Sequence, residues 1–130
     1  MMRMIGPLLL LTVVLTACVG DAPSSIAYAD VPLVGDVSRG EVLYNEPING
    51  IASCLSCHQP GAVAAPVLDG YAALAAERVA GESAHEYTFY AIAEPARHIV
   101  EGYGNVMPNT YDEALSPQEM ADLIAYLLSL

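Results

Sequence analysis

The stretch that decides the reading is Ser53 to His58, "SCLSCH". Cys54 and Cys57 stand three apart, and His58 follows directly. The only other cysteine, Cys18, lies near the start of the chain. A zinc site built on this pair would need two more ligands. The remaining histidines, His85 and His98, sit at no familiar finger spacing. A redox dithiol needs a strand before it and a helix after it, whereas loops are expected on both sides here. A disulfide across so short a loop would be strained and would leave His58 without a role.

The pattern Cys-x-x-Cys-His is the attachment signature for c-type haem. Two cysteines at this spacing reach the two vinyl groups on one haem edge and form thioethers. The adjacent imidazole then lies under the iron. Cys54 and Cys57 are therefore the expected covalent links and His58 the expected proximal ligand. For the sixth position the sequence offers Met107, Met120, His85 and His98. Met120 belongs to the apolar stripe of a helix, which gives it a core role. His98 is expected on the outer side of a short helix, and His85 on the surface among acidic neighbours. Met107 sits in a loop before a proline, "NVMPN", where no helical core accounts for it. It is the expected axial ligand, and a thioether there raises the reduction potential relative to a second imidazole.

Outward from the motif, helices are expected over 36–44 with Asp36 as N-cap, from Asp69 to about Ala80, and over about 86–94. A further helix is expected from Pro95 until Gly102 stops it. The last helix has the clearest start: Ser116 caps it, Pro117 takes its first position and Glu119 completes a capping box. Met120, Leu123, Ile124, Leu127 and Leu128 follow at helical spacing. No β alternation stands out. A mostly α domain over 36–130, of four to five short helices, has a thin core for its size. A large covalent ligand would fill it.

The N-terminus reads as a leader. Residues 1–17 hold one basic residue, a 14-residue apolar run and a small residue before Cys18, the layout of a secretory signal peptide. The run is too short to span a membrane comfortably. "LTAC", Leu15 to Cys18, resembles the lipobox of bacterial lipoproteins, which implies cleavage before Cys18 and lipid on its thiol. Several acyl chains hold a protein where one does not. Residues 18–35, with no helical period, are expected to form a flexible tether.

Charge narrows the partners. The chain has fifteen Asp and Glu, four Arg and no Lys, for a net charge of −11. Removing Arg3 with the leader leaves three Arg, so the rest carries 3 − 15 = −12. No basic patch is available to neutralise phosphates, so nucleic acid is excluded. A charged partner is expected to present a basic face.

Five segments together resemble a small bacterial class I cytochrome c: "GDVSRGEVLY", "CLSCH", "APVLDGY", "HIVEGYGNVMPN" and "LSPQEMADLIAYLLSL". The resemblance covers about 36–130 and implies an all-α fold wrapped around one covalent haem c. It implies that Gly40 and Tyr44 pack on the last helix at Tyr126. It also implies that the carbonyl of Pro66 accepts a hydrogen bond from His58, orienting the ring and tuning the iron. The lysine ring of familiar mitochondrial members is missing, so their docking scheme does not carry over.

Two strong iron ligands leave no substrate site, so the expected role is electron carriage rather than bond-making. Haem attachment outside the cytoplasm agrees with the leader. The expectation is a lipid-anchored carrier on the extracytoplasmic face of a bacterial membrane, shuttling electrons between redox complexes. The alternative is a fixed subunit of a respiratory or photosynthetic complex. A haem sensor or peroxidase-like enzyme with an open sixth site is the third possibility.

Overall fold

The structure is a computed structural model, and it describes residues 24–130. Cys18 and residues 1–17 lie outside them. Six α-helices are present among the described residues: α1 (Val37–Asn45), α2 (Cys54–His58), α3 (Tyr71–Glu77), α4 (Ala84–Ala93), α5 (Tyr111–Ala114) and α6 (Pro117–Leu127). Short 3-10 turns occupy Tyr28–Asp30 and Pro95–Arg97. Among the described residues there is no strand, only a bridge between Ile48 and Ile51. Asn49 and Gly50, both at positive φ (48° and 84°), make the tight turn that this bridge needs. No described helix is long and apolar enough to cross a membrane.

Local chemistry sets the two best-defined helix starts. The Asp36 carboxylate accepts from the Arg39 N–H at 3.0 Å and caps α1. At α6 the Ser116 hydroxyl accepts from the Glu119 N–H, and the Glu119 carboxylate accepts from the Ser116 N–H, closing the expected capping box. α1 and α6 cross at close range. A Cβ on Gly40 would lie 2.0 Å from the Asp122 carbonyl oxygen, so only glycine permits the approach. Beside it the rings of Tyr44 and Tyr126 meet at 5.3 Å. The packing of Gly40, Tyr44 and Tyr126 implied by the family resemblance is present. Phe89, Met120, Leu123 and Ile124 are fully buried at the centre. Met120 is thus a core residue, as its helical spacing indicated.

Several boundaries differ from expectation. The motif itself forms α2, a single turn, and α5 adds another turn where a loop was expected. These two raise the helix count above four to five. α3 begins at Tyr71 behind Gly70, and the Asp69 side chain makes no cap. α4 starts earlier than expected, because the Ser83 hydroxyl accepts from the Glu86 N–H at 3.1 Å. The helix expected after Pro95 stops at Arg97, and His98 turns extended at φ −142°.

The expected tether also ends early. Val31 is buried, and the Tyr28 ring packs 5.3 Å from Phe89 and 5.9 Å from Tyr90. The Ile26 N–H donates to the Asp112 carbonyl at 3.3 Å. Apolar and aromatic side chains on this segment find partners far along the chain. From Ile26 onward it is a strap on the domain.

Candidate haem site

α2 places Cys54, Cys57 and His58 along one wall of a cavity of about 260 Å³. Hydroxyls hold the carbonyls at both ends of the motif. Tyr111 donates to the Ala52 carbonyl at 2.7 Å, and Tyr44 reaches the His58 carbonyl at 3.5 Å. Burial pushes both phenols up to about 12, so they remain protonated donors at neutral pH.

The His58 ring is half-buried, with Nδ1 2.7 Å from the Pro66 carbonyl oxygen. A carbonyl can only accept, so Nδ1 carries the hydrogen and Nε2 keeps its lone pair. Burial lowers the imidazole's pKa, against a smaller opposing effect of the Pro66 bond. The ring is therefore neutral at physiological pH, the form that ligates a metal.

Burial pushes the Cys54 thiol up to about 11, and the nearby Cys57 adds to the rise. Dithiols that work as redox catalysts have depressed thiol pKa values instead. The two cysteines are not bonded to each other. Among the described residues no cluster of His, Cys, Asp or Glu has the makings of a metal-ion site of its own. The raised Cys54 thiol argues against a catalytic dithiol.

Met107 lines the same cavity as His58, as do Pro66, Leu68, Ile92 and Leu127. It is half-buried on its loop and packs against the edge of the core. His85 does not line this cavity. It is half-buried under the strap with Nδ1 3.3 Å from the Tyr28 hydroxyl, which corrects its expected surface position. His98 is exposed as expected, but it borders the cavity and meets Tyr87 edge-on. Sequence reasoning missed Tyr111 because its partner, Ala52, lies 59 positions away. Nothing local marked Arg78 or Tyr87 either, and both line the cavity.

The cavity fits a large planar apolar group: a thiol pair and a neutral imidazole on one wall, a thioether on the lining, and aliphatic side chains around them. No curated protein and no solved structure matched the chain. The family model for cytochrome c matches residues 37–130, nearly the whole of the described domain. With its all-α fold and its Cys54–Cys57 pair at the attachment position, the chain belongs to the cytochrome c family, whose cofactor is covalent haem c.

Proposed function

We propose that this electron-transfer haem protein is a membrane-tethered single-haem carrier. Cys54 and Cys57 would hold the haem covalently, and His58 and Met107 would ligate its iron. The observation that carries this is that a neutral imidazole with a free Nε2 and a loop methionine line one apolar cavity. Bound haem c supplies a one-electron Fe(III)/Fe(II) couple. The chain's own contribution is positional. Pro66 fixes the imidazole, Tyr44 and Tyr111 fix the α2 backbone, and the aliphatic lining excludes water. A thioether at the sixth position favours a higher potential than a second imidazole. With both axial positions filled by the protein, the role is outer-sphere transfer to docked partners. The acidic chain suits a partner with a basic face.

The anchor is lipid on Cys18, which holds the domain on the extracytoplasmic face of a bacterial membrane. Docking of the strap supports a second reading alongside the shuttle, a fixed subunit of a redox complex. Eight residue steps separate Cys18 from Ile26, so the anchor lies at most about 29 Å from the point where the chain joins the domain. Such a reach favours partners standing in the same membrane.

Fractionation of the expressing cells with labelled fatty acid tests the anchor. Native chain is expected in the membrane fraction with both haem and lipid, and Cys18→Ala in the soluble fraction with haem alone. Soluble, unlabelled native chain would overturn the anchor. A native gel of mildly solubilised membranes then separates the two roles. A haem band in a large assembly indicates a fixed subunit, and one near the size of the free chain indicates a shuttle.

A further inference from the structure

Two large aliphatic side chains project from the strap. Leu33 is 77% exposed and Val34 81%. Single exposed aliphatics are ordinary on a protein surface. These two are consecutive, and the loop that carries them is clamped at both ends. On one side Val31 is buried, and its N–H donates to the Tyr28 carbonyl at 3.1 Å. On the other, a Cβ on Gly35 would strike the Ala121 carbonyl, so the backbone lies directly on α6. The Asp36 N–H then donates to Asp122 Oδ1 at 2.7 Å. Pro32 stiffens the short span between the clamps. So held, the loop presents Leu33 and Val34 outward. Val37, in the first turn of α1, is exposed as well.

Residues 31–35 hold no ionisable side chain. Asp30 and Asp36 flank them, and the Asp36 carboxylate is committed to the α1 cap. The nearest arginine along the chain, Arg39, is paired with Asp122. What the loop offers a partner is apolar area. It also belongs to the segment that leads back to Cys18. Seven residue steps separate Ile26 from Leu33, at most about 25 Å, and the tether reaches about 29 Å beyond Ile26. Tether and loop can therefore touch one surface together. Once the chain is anchored, a second contact with that surface is intramolecular and needs little affinity of its own.

We infer that Leu33 and Val34 rest in the headgroup region of the bilayer that holds the lipid on Cys18. The inference rests on the anchor proposed above. The two side chains add apolar burial to that of the acyl chains. A lipid on a bare tether leaves a domain free to turn. The second contact fixes which side of the domain faces the membrane. With it comes a fixed bearing of the haem cavity toward partners in the same bilayer.

The test uses the full haem-loaded chain with Leu33→Cys. Haem takes up Cys54 and Cys57 and lipid takes up Cys18, so the introduced thiol alone accepts a nitroxide label. Electron paramagnetic resonance follows the label on phosphatidylcholine vesicles and, with Cys18→Ala added, in water. A water-soluble nickel chelate and molecular oxygen are the two collision probes. On vesicles, position 33 is expected to lose most of its nickel collisions and to gain oxygen collisions, because oxygen concentrates in lipid. Val34→Cys should behave alike. Val63→Cys, at a site 92% exposed in the loop after α2, should keep its nickel access. Unchanged nickel access at 33 and 34 on a lipidated chain overturns the contact alone. Loss of both nickel and oxygen access there would mean that a second copy covers the loop, and overturns it equally. Equal shielding at 63 would mean that the domain meets lipid with no preferred face, which also overturns it. A chain without lipid on Cys18 would instead sink the anchor, and the contact with it.

Discussion

Nδ1 of His58 and the carbonyl oxygen of Pro66 are 2.7 Å apart, eight residues apart in the chain, and this bond fixes which imidazole nitrogen is free. The proline ring restricts φ and so limits where its carbonyl can point. Pro66→Ala keeps the carbonyl but frees the backbone in the unfolded chain. The expected cost is about 0.4–1 kcal/mol, read from guanidinium unfolding of the haem-loaded protein. An unchanged or higher stability would show that the proline does not restrain this loop.

The α1–α6 crossing makes a sharper demand. A methyl on Gly40 would strike the Asp122 carbonyl, and also Tyr126 Cβ at 2.7 Å. Backbone cannot move aside as a flexible side chain can. Gly40→Ala is expected to destabilise by about 1–3 kcal/mol or more and to push the Tyr44 and Tyr126 rings apart. Stability within a few tenths of a kcal/mol of native would mean that the helices can separate freely.

Asp122 supports the same crossing through charge. It is only 2% exposed, and it accepts from the Asp36 N–H at 2.7 Å, Gln118 Nε2 at 2.9 Å and Arg39 Nε at 2.9 Å. Burial pushes the carboxyl up, but these donors more than reverse it and hold it below the ordinary 3.8. A carboxyl lowered by folding stabilises above that value and loses its contribution as pH falls through the folded pKa. Asp122→Asn is expected to cost about 2 kcal/mol at pH 7, with the gap to native narrowing under strong acid. Unfolding curves at neutral and acidic pH measure the gap, and a constant difference would contradict the linkage.

His85 gives the strap an opposite charge logic. Its Nε2 is buried without a partner among the described residues, and its Nδ1 meets the Tyr28 hydroxyl. Burial holds the imidazole below its ordinary 6.5, with a smaller opposing effect from the Pro32 backbone. The docked strap favours the neutral ring, so its stability is present above pH 6.5 and fades as pH falls below that. Hydrogen exchange at the Val31 amide, which donates to the Tyr28 carbonyl, should lose protection at acidic pH relative to neutral. His85→Gln should weaken that dependence. Equal protection at both pH values in the native chain would count against it.

What could be read from sequence was local. Asp36, Ser116, Pro117 and Glu119 announce their helices within four residues, because a cap satisfies its own first turn. The Cys54–Cys57–His58 spacing announces its chemistry in the same way. Pro66 came only through family resemblance, and the His58 bond supports that assignment. What escaped was long-range. Tyr28 and Val31 have the composition of a tether, and only their partners across the fold make them a strap. His98 sits in a helical-looking stretch, but it extends and meets Tyr87 beside it on the cavity lining. That no carboxylate among the described residues lines the cavity cannot be seen until the chain is folded. α5, one turn whose N-cap Thr110 makes no side-chain bond, offered no start signal.

Met107 as the second axial ligand is the claim on which electron carriage rests, and carbon monoxide binding to the reduced protein tests it directly. The native chain is expected to leave its visible spectrum unchanged under carbon monoxide, because the methionine sulfur holds the sixth position. Met107→Ala is expected to bind the gas and shift its spectrum at once. A native protein that binds carbon monoxide as readily as Met107→Ala would contradict the assignment and favour a sensor or enzyme with an open iron.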